Sequence, residues 1–396
     1  MLKIVSIIIL LFLFSSGNAI AGEWQVRGDV AVETRIFPRN PKFSAQDDTH
    51  LSPSFKLEPE FIYETSDFKH RFTLKPFFRF DFHDNDRTHF DARELHWTFF
   101  QNKWILLVGV SKVFWGVAES RHLVDIINQT DAVEDIDGED KLGQPMVHLT
   151  YETDFGAFSF FYLPFFRERT FPDDEARLRG PVPIENDADY ESGADEWHQD
   201  FALRWERTIS EFDIGAAFFY GTSREPRFRF TPLGNLRPVY DIIDQESLDI
   251  QWTHDALLVK FEGILRGGAG DRFIATVTGF EYTLYQILNS NADLGLLSEF
   301  HYDERDTTAP PTIFQQDLFA GMRLALNDVK DTEVLGGFTF DLEGNEISTL
   351  LEAKRRIGER YLLEFELRWI LTSVTGSIAD GIIRDSFSTV SVSRFF

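Results

Sequence analysis

Between residues 71 and 82 the chain alternates. Arg71, Thr73, Lys75, Arg79 and Asp81 fall on one parity, and Phe72, Leu74, Phe78, Phe80 and Phe82 on the other. Successive side chains of a β-strand point to opposite faces, so this stretch presents one charged face and one aromatic face. The pattern returns along the chain. Phe201, Leu203 and Trp205 oppose Ala202, Arg204 and Glu206, and Val259, Phe261 and Leu265 oppose Lys260, Glu262 and Arg266. Near the end, Leu363, Phe365, Leu367 and Trp369 oppose Glu364, Glu366 and Arg368. Repeated strands of this kind suit two architectures. A soluble β-sandwich buries the apolar faces against each other. A transmembrane barrel turns them to lipid and encloses water within its charged faces. The period alone does not separate the two.

Three further features favour the barrel. The chain opens with Lys3, an apolar run from Ile4 to Phe14 and a small-residue end at Ala19-Ile20-Ala21, the form of a cleaved export signal. Residues 1–21 are therefore expected to be a signal peptide, with residues 22–396 forming a single barrel domain. Aromatic residues make up 15% of the chain, 41 of them Phe, yet no later apolar run is long enough for a membrane helix. The predicted connections also alternate in length. Thr65 to Asp67, Gln101-Asn102, Thr153-Asp154, Ile209-Ser210 and His254-Asp255 are short, whereas 37–52, 83–89, 113–144, 167–197 and 223–238 are long and mostly acidic. Short periplasmic turns and long external loops are the outer-membrane pattern. The predicted fold is an all-β, antiparallel up-and-down barrel of about eighteen strands, with both termini on the periplasmic side. The last strand ends Arg394-Phe395-Phe396, similar to the terminal aromatic used by barrel assembly machinery, although Arg394 stands where an apolar residue is usual.

The segment 113–144 breaks the strand-turn rhythm. Val117, Ala118, Leu123, Val124 and Ile127 recur at helical spacing, Asn128 is placed to end a short helix, and Asp131 with Glu134 has the form of a capping box. The expectation is one partly helical loop that constricts or caps the lumen, anchored by Trp115 and Gly116. Glu119, Arg121, Asp125, Asn128 and Asp131 complete the candidate constriction.

Phe114-Trp115-Gly116, Glu119, Asp125-Ile126-Ile127-Asn128 and Asp131 together resemble the W-G-x-x-[ED]…D-x-[IV]-N-x-x-D pattern of uncharacterised proteobacterial outer-membrane barrels of porin type. These are similar, more distantly, to alginate-export porins. The resemblance is concentrated in about thirty residues, and it implies a porin-type barrel without naming a solute.

Parity assigns fifteen residues to the lumen: Arg71, Lys75, Arg79, Glu94, His96, His148, Arg204, Glu206, Lys260, Glu262, Glu299, His301, Glu364, Glu366 and Arg368. Polar lining of a water-filled channel explains them without chemistry. No hydrolase elbow, metalloprotease motif or phosphate loop accompanies them, so no catalytic residue is expected. The run Glu134 to Asp140 fails as a calcium loop of the EF-hand type. With Gly138 sixth, Val133 and Gln144 would occupy positions that need Asp and Glu. Neither a cofactor nor a metal centre is predicted, and only loosely held divalent cations are expected at the acidic loops. A net charge of −26 disfavours nucleic acid. The expected partners are outer-membrane lipid, lipopolysaccharide, the assembly machinery and small polar or charged solutes. An adhesin or an enzyme built on the same barrel is the alternative.

Overall fold

The computed structural model describes residues 22–396. The expected signal peptide lies outside them. The first barrel strands are β1 (Gly22–Ile36), β2 (Leu51–Thr65), β3 (His70–Asp81), β4 (His89–Gln101) and β5 (Trp104–Ser111). They are followed by β6 (Gln144–Thr153), β7 (Gly156–Leu163), the two-residue β8 (Asp189–Tyr190), β9 (Asp200–Ile209) and β10 (Phe212–Thr222). Next come β11 (Arg227–Phe230), β12 (Leu236–Tyr240), β13 (Ile242–His254), β14 (Leu257–Gly268), β15 (Gly270–Leu284) and β16 (Asp293–Asp303). The chain finishes with β17 (Gln316–Ala325), β18 (Glu333–Asp341), β19 (Ile347–Ile357), β20 (Tyr361–Thr372) and β21 (Phe387–Phe395).

Eighteen of these strands form one antiparallel sheet. It closes because β21 pairs with β1, with Val392 opposite Val32. Closure leaves no edge strand with unpaired backbone groups, which a membrane would not tolerate. The count agrees with the eighteen or so strands expected. Just before β13, Val239 and Tyr240 join a small external sheet of β8, β11 and β12.

The outward parity is mostly apolar, with charges such as Glu246 and Arg272 near the external end. Val32, Phe78, Phe80, Phe218, Phe280, Phe300, Met322 and Phe338 are all exposed on it. The barrel is inside-out relative to a soluble protein, with lipid replacing a partner sheet. The inward parity is charged in most places, but β7, β10 and β13–β15 carry Phe161, Leu163, Phe219, Ile243, Ile264 and Val277 inward. Those residues form a core with Trp115, Leu123, Val124, Ile126 and Ile127 of the long β5–β6 loop. Val124 and Ile127 are wholly buried there, each contributing roughly 1.5–3 kcal/mol.

The expected helix in that loop does not form; residues 112–143 are turns and extended chain, with one bridge between Thr130 and Lys141. The single described α-helix, α1 (Ile378–Ile382), lies in the last external loop, where the Ser377 side chain caps it. The apolar spacing at 117–127 records burial against a curved wall, and the backbone there bonds to side chains instead of to itself.

Candidate functional site: a loop docked across the lumen

Two wall carboxylates grip the loop by its backbone. Glu262 on β14 accepts from the amides of Val117 (2.6 Å), Ala118 (2.8 Å) and Val124 (3.3 Å). Glu299 on β16 accepts from the amides of Glu119 (2.7 Å) and Ser120 (2.8 Å) and from the Ser120 hydroxyl. The amides of Val117 to Ser120 would be the unpaired first turn of a helix over 117–124; here the two wall carboxylates satisfy them, and Glu262 also takes the Val124 amide that such a helix would have used internally. Gly116 makes the approach feasible. Its φ is +139°, and a Cβ there would sit 2.9 Å from Glu262 Oε1, a conformation and a contact that favour glycine.

The reach of the loop fixes its position. It leaves β5, the fifth strand of the ring, yet the Glu119 carboxylate pairs with Arg323 at 2.6 Å. Arg323 lies on β17, the fourteenth ring strand and nine further round an eighteen-stranded barrel. Such a contact requires the loop to cross the full lumen. It then turns back: Glu134 pairs with Arg79 on β3 at 2.7 Å, and Asp137 with Arg368 on β20 at 2.9 Å. The loop therefore lies inside the barrel and not over its mouth.

The predicted constriction residues act as its fasteners. Trp115 is 4% exposed, stands edge-on to Phe161 at 5.5 Å and receives the Arg204 guanidinium on its face at 5.1 Å. Arg121 pairs with Asp303 at 2.7 Å, and Asp125 with Lys141 at 3.3 Å. Asn128 clasps the two ends of the loop: it donates to the carbonyls of Ser111 and Leu142 and accepts from the Val113 amide. Asp131 is no capping residue. Its carboxylate meets Arg93 at 2.7 Å and accepts from Thr170 at 2.7 Å. Burial opposes that charge, but His89, Arg93 and Thr170 outweigh it and hold Asp131 well below the usual carboxylate range.

The loop also buries acids whose cationic neighbours do not offset burial. Burial, with Asp135 close by, pushes Asp137 up to about 7, and burial beside Glu134 pushes Asp140 up to about 6. His122 moves the same way. Burial alone would lower it, but the Glu139 and Glu262 carboxylates hold its imidazole above the ordinary value.

All fifteen predicted lumen residues lie on the inward parity of the ladder. They do not form one site. Arg79, Lys260, Glu262, Glu299, His301 and Arg368 meet the loop. Arg71, Lys75, Glu94, His96 and Glu206 pair along the wall with neighbours such as Glu64 and Glu58, and Arg204 pairs with Asp249 while also covering Trp115 of the loop. His148 stacks on Phe161 at 4.0 Å. Glu364 and Glu366 line a polar cavity of about 280 Å³ between the loop and the wall, together with Arg35, Lys56, Glu58, Lys112, Asp135 and Asp140.

Several fasteners were not among the predicted residues. Arg87 pairs with Glu33 and Asp81 and donates to the Val133 carbonyl. Arg35 donates to the carbonyl of Glu134, and Arg224 to that of Ile127. Arg35 and Glu33 share the inward parity of β1 and were legible by the same rule. Arg93 was hidden by a β-bulge opposite Lys75 and Pro76, which turns both Arg93 and Glu94 inward. Arg87 and Arg224 stand in loops, where no period exists to read.

Two constellations have the outline of chemistry. Ser120 Oγ lies 2.8 Å from His301 Nε2. Among the described residues His301 Nδ1 has no hydrogen-bond partner, however, so none of them serves as the orienting acid of a Ser-His relay. His89, Asp131 and Glu134 bring ligand atoms within 4.8 Å of one another, but Arg93 and Arg79 already neutralise both carboxylates.

No protein-family model matches the chain, and neither does any curated protein. Among solved structures it is similar to Wzi of Escherichia coli, described as a carbohydrate-binding β-barrel involved in group 1 capsule assembly. That likeness has a TM-score of 0.54 at 9% identity and covers 98% of this chain and 87% of Wzi. The outer-membrane protein OmpT of Vibrio cholerae follows at 0.45 and 10%, covering 95% of this chain and all of OmpT. A mutant of the Rh. blastica porin stands at 0.44 and 10%, covering 94% and 100% respectively. The likeness to Wzi is one of fold.

Proposed function

We propose that this chain is an outer-membrane channel that admits small polar or charged solutes past a loop fastened across its lumen. The observation that carries the proposal is the Glu119–Arg323 ion pair, a contact from the fifth strand to the opposite wall. An inserted loop fixed at both walls divides the lumen and leaves charged space beside it, including the 280 Å³ cavity. Charges in such a confined space act on passing solutes more strongly than in open water. The apolar outer face supports residence in the outer membrane, exported by the signal expected over residues 1–21, with lipopolysaccharide and the assembly machinery as partners.

A second reading is a barrel whose lumen stays shut and which binds ligands through its external loops. The completeness of the docking favours it, since acids and arginines on many strands hold the loop. Planar-bilayer conductance of the refolded protein separates the two. Stable single-channel steps, blocked by particular solutes, support the channel, and a silent but fully folded barrel supports the second reading.

A further inference from the structure

Four guanidiniums gather at the external end of the lumen, beside the tip of the docked loop. Arg266 on β14 and Arg305 both pair with Glu225, the latter at 2.9 Å. Arg305 also meets Asp303 at 2.8 Å, and Asp303 in turn holds Arg121. Arg169 donates to the carbonyl of Arg224, next in sequence to Glu225, at 3.0 Å, and among the described residues has no carboxylate at ion-pair distance. Two carboxylates thus serve four cations, in a chain whose net charge is −26. Asp317 accepts from the Gln315 amide and makes no ion pair among the described residues.

The imbalance is built into buried groups. The side chains of Arg266 and Arg305 are 4% and 2% exposed, and that of Arg121 is 10% exposed. Arg121 Nη1 is buried without a hydrogen-bond partner among the described residues. Unmatched charge of this kind costs stability unless something supplies the missing partner. The cluster is also reachable, because the Glu225 side chain is one-third exposed at 33%. Burial would raise Glu225, but Arg305, Arg266, Arg121 and Arg169 outweigh it and keep the carboxylate ionised. Glu225 is therefore a resident anion that occupies only part of a cationic socket.

We propose that Arg121 and Arg169, with Arg266 and Arg305 behind them, form an outer binding subsite for a small, doubly charged oxyanion. Guanidinium forks match the oxygens of sulfate, phosphate or paired carboxylates, whereas a spherical chloride uses the fork poorly. The role as an entry subsite rests on the channel reading, because Arg121 belongs to the loop that crosses the lumen. The binding itself does not rest on that reading.

The test uses the full-length folded barrel in detergent micelles, titrated with sodium sulfate by calorimetry while sodium chloride keeps ionic strength constant. Saturable sulfate binding is expected. Arg169→Gln and Arg121→Gln should each weaken it roughly tenfold, the loss of one charge-assisted contact. Glu225→Gln should strengthen it, because the resident negative charge is gone. A purely structural cluster predicts a different result: lower thermal stability in Glu225→Gln and no gain in sulfate affinity. Should Arg121→Gln fail to fold, Arg169→Gln and Glu225→Gln decide the matter. The proposal is overturned if sulfate shows no saturable binding, or if the folded variants bind it as the parent does. Conductance is measured separately, so a silent barrel that binds sulfate sinks the channel and spares the site, and a conducting barrel without binding does the reverse.

Discussion

Replacing Glu262 by Ala tests whether the wall, and not the loop's own chain, holds residues 114–124 in place. The carboxylate accepts short bonds from the Val117 and Ala118 amides at 2.6 and 2.8 Å and a longer one from Val124 at 3.3 Å. Hydrogen bonds to a charged group contribute roughly 1.5–3 kcal/mol each, so the two short ones amount to about 3–6 kcal/mol. Removing the buried carboxylate also removes its own desolvation cost, which places the expectation at the lower end. About 3 kcal/mol corresponds to roughly a hundredfold faster local opening. The loop should not leave the lumen, because Val124, Ile126 and Ile127 remain buried against the wall. Hydrogen exchange by mass spectrometry, read over the peptide 114–124, measures the effect. Glu64→Ala is the control: it removes an inward carboxylate that pairs with Arg71 on the neighbouring strand. Unchanged exchange in Glu262→Ala, or equal acceleration in both variants, would refute the idea that the wall carboxylate fastens the loop.

Deleting Ala118 to Asp131 should raise single-channel conductance and lower solute discrimination while the barrel still assembles. Unaltered conductance would mean that the segment does not limit passage. Phe78→Arg should destabilise the barrel by roughly 2–4 kcal/mol, because Phe78 faces lipid. Arg79→Ala, one residue on, should cost a comparable 3–5 kcal/mol or so, since it takes the guanidinium from buried Glu134, while Glu33 keeps Arg87. Its damage should appear as loop proteolysis, and an intact loop in that variant would contradict the pairing. Removing Phe396 takes away the two backbone bonds with Gly28 that finish the β1–β21 seam, so heat-modifiable barrel should accumulate more slowly in cells, and an unchanged rate would count against the seam. Loop protection should also depend on pH. Asp137 and Asp140, raised to about 7 and 6, bind protons more readily in the docked loop than in an unfolded chain. Their docking is therefore most favourable below the ordinary carboxylate range and weakens as pH rises from about 4 to 7. His122, also raised, acts in the same direction. Exchange of residues 132–140, corrected for intrinsic rate, should slow as pH falls from 8 to 5, and the opposite trend would refute these environments.

The sequence by itself determined the wall. A two-residue period with lipid on one side and water on the other leaves one register for each strand. A slip of one residue would turn Arg79 or Glu262 to lipid, and so all fifteen inward residues were legible from parity. It also marked the unusual loop, because Val124, Ile126 and Ile127 require cover that a solvated connection lacks. What those residues pack against was decided only by the tertiary structure. Helical spacing and burial on a curved wall give similar one-dimensional patterns, and the groups that dock the loop, Glu262 and Glu299 among them, lie some 140 to 180 positions further along the chain. The arginine cluster about Glu225 is the same case. It assembles from a docked loop, two external loops and a strand, and no local period links Arg121, Arg169, Arg266 and Arg305. Barrel closure brings together residues that no reading of neighbours along the chain connects.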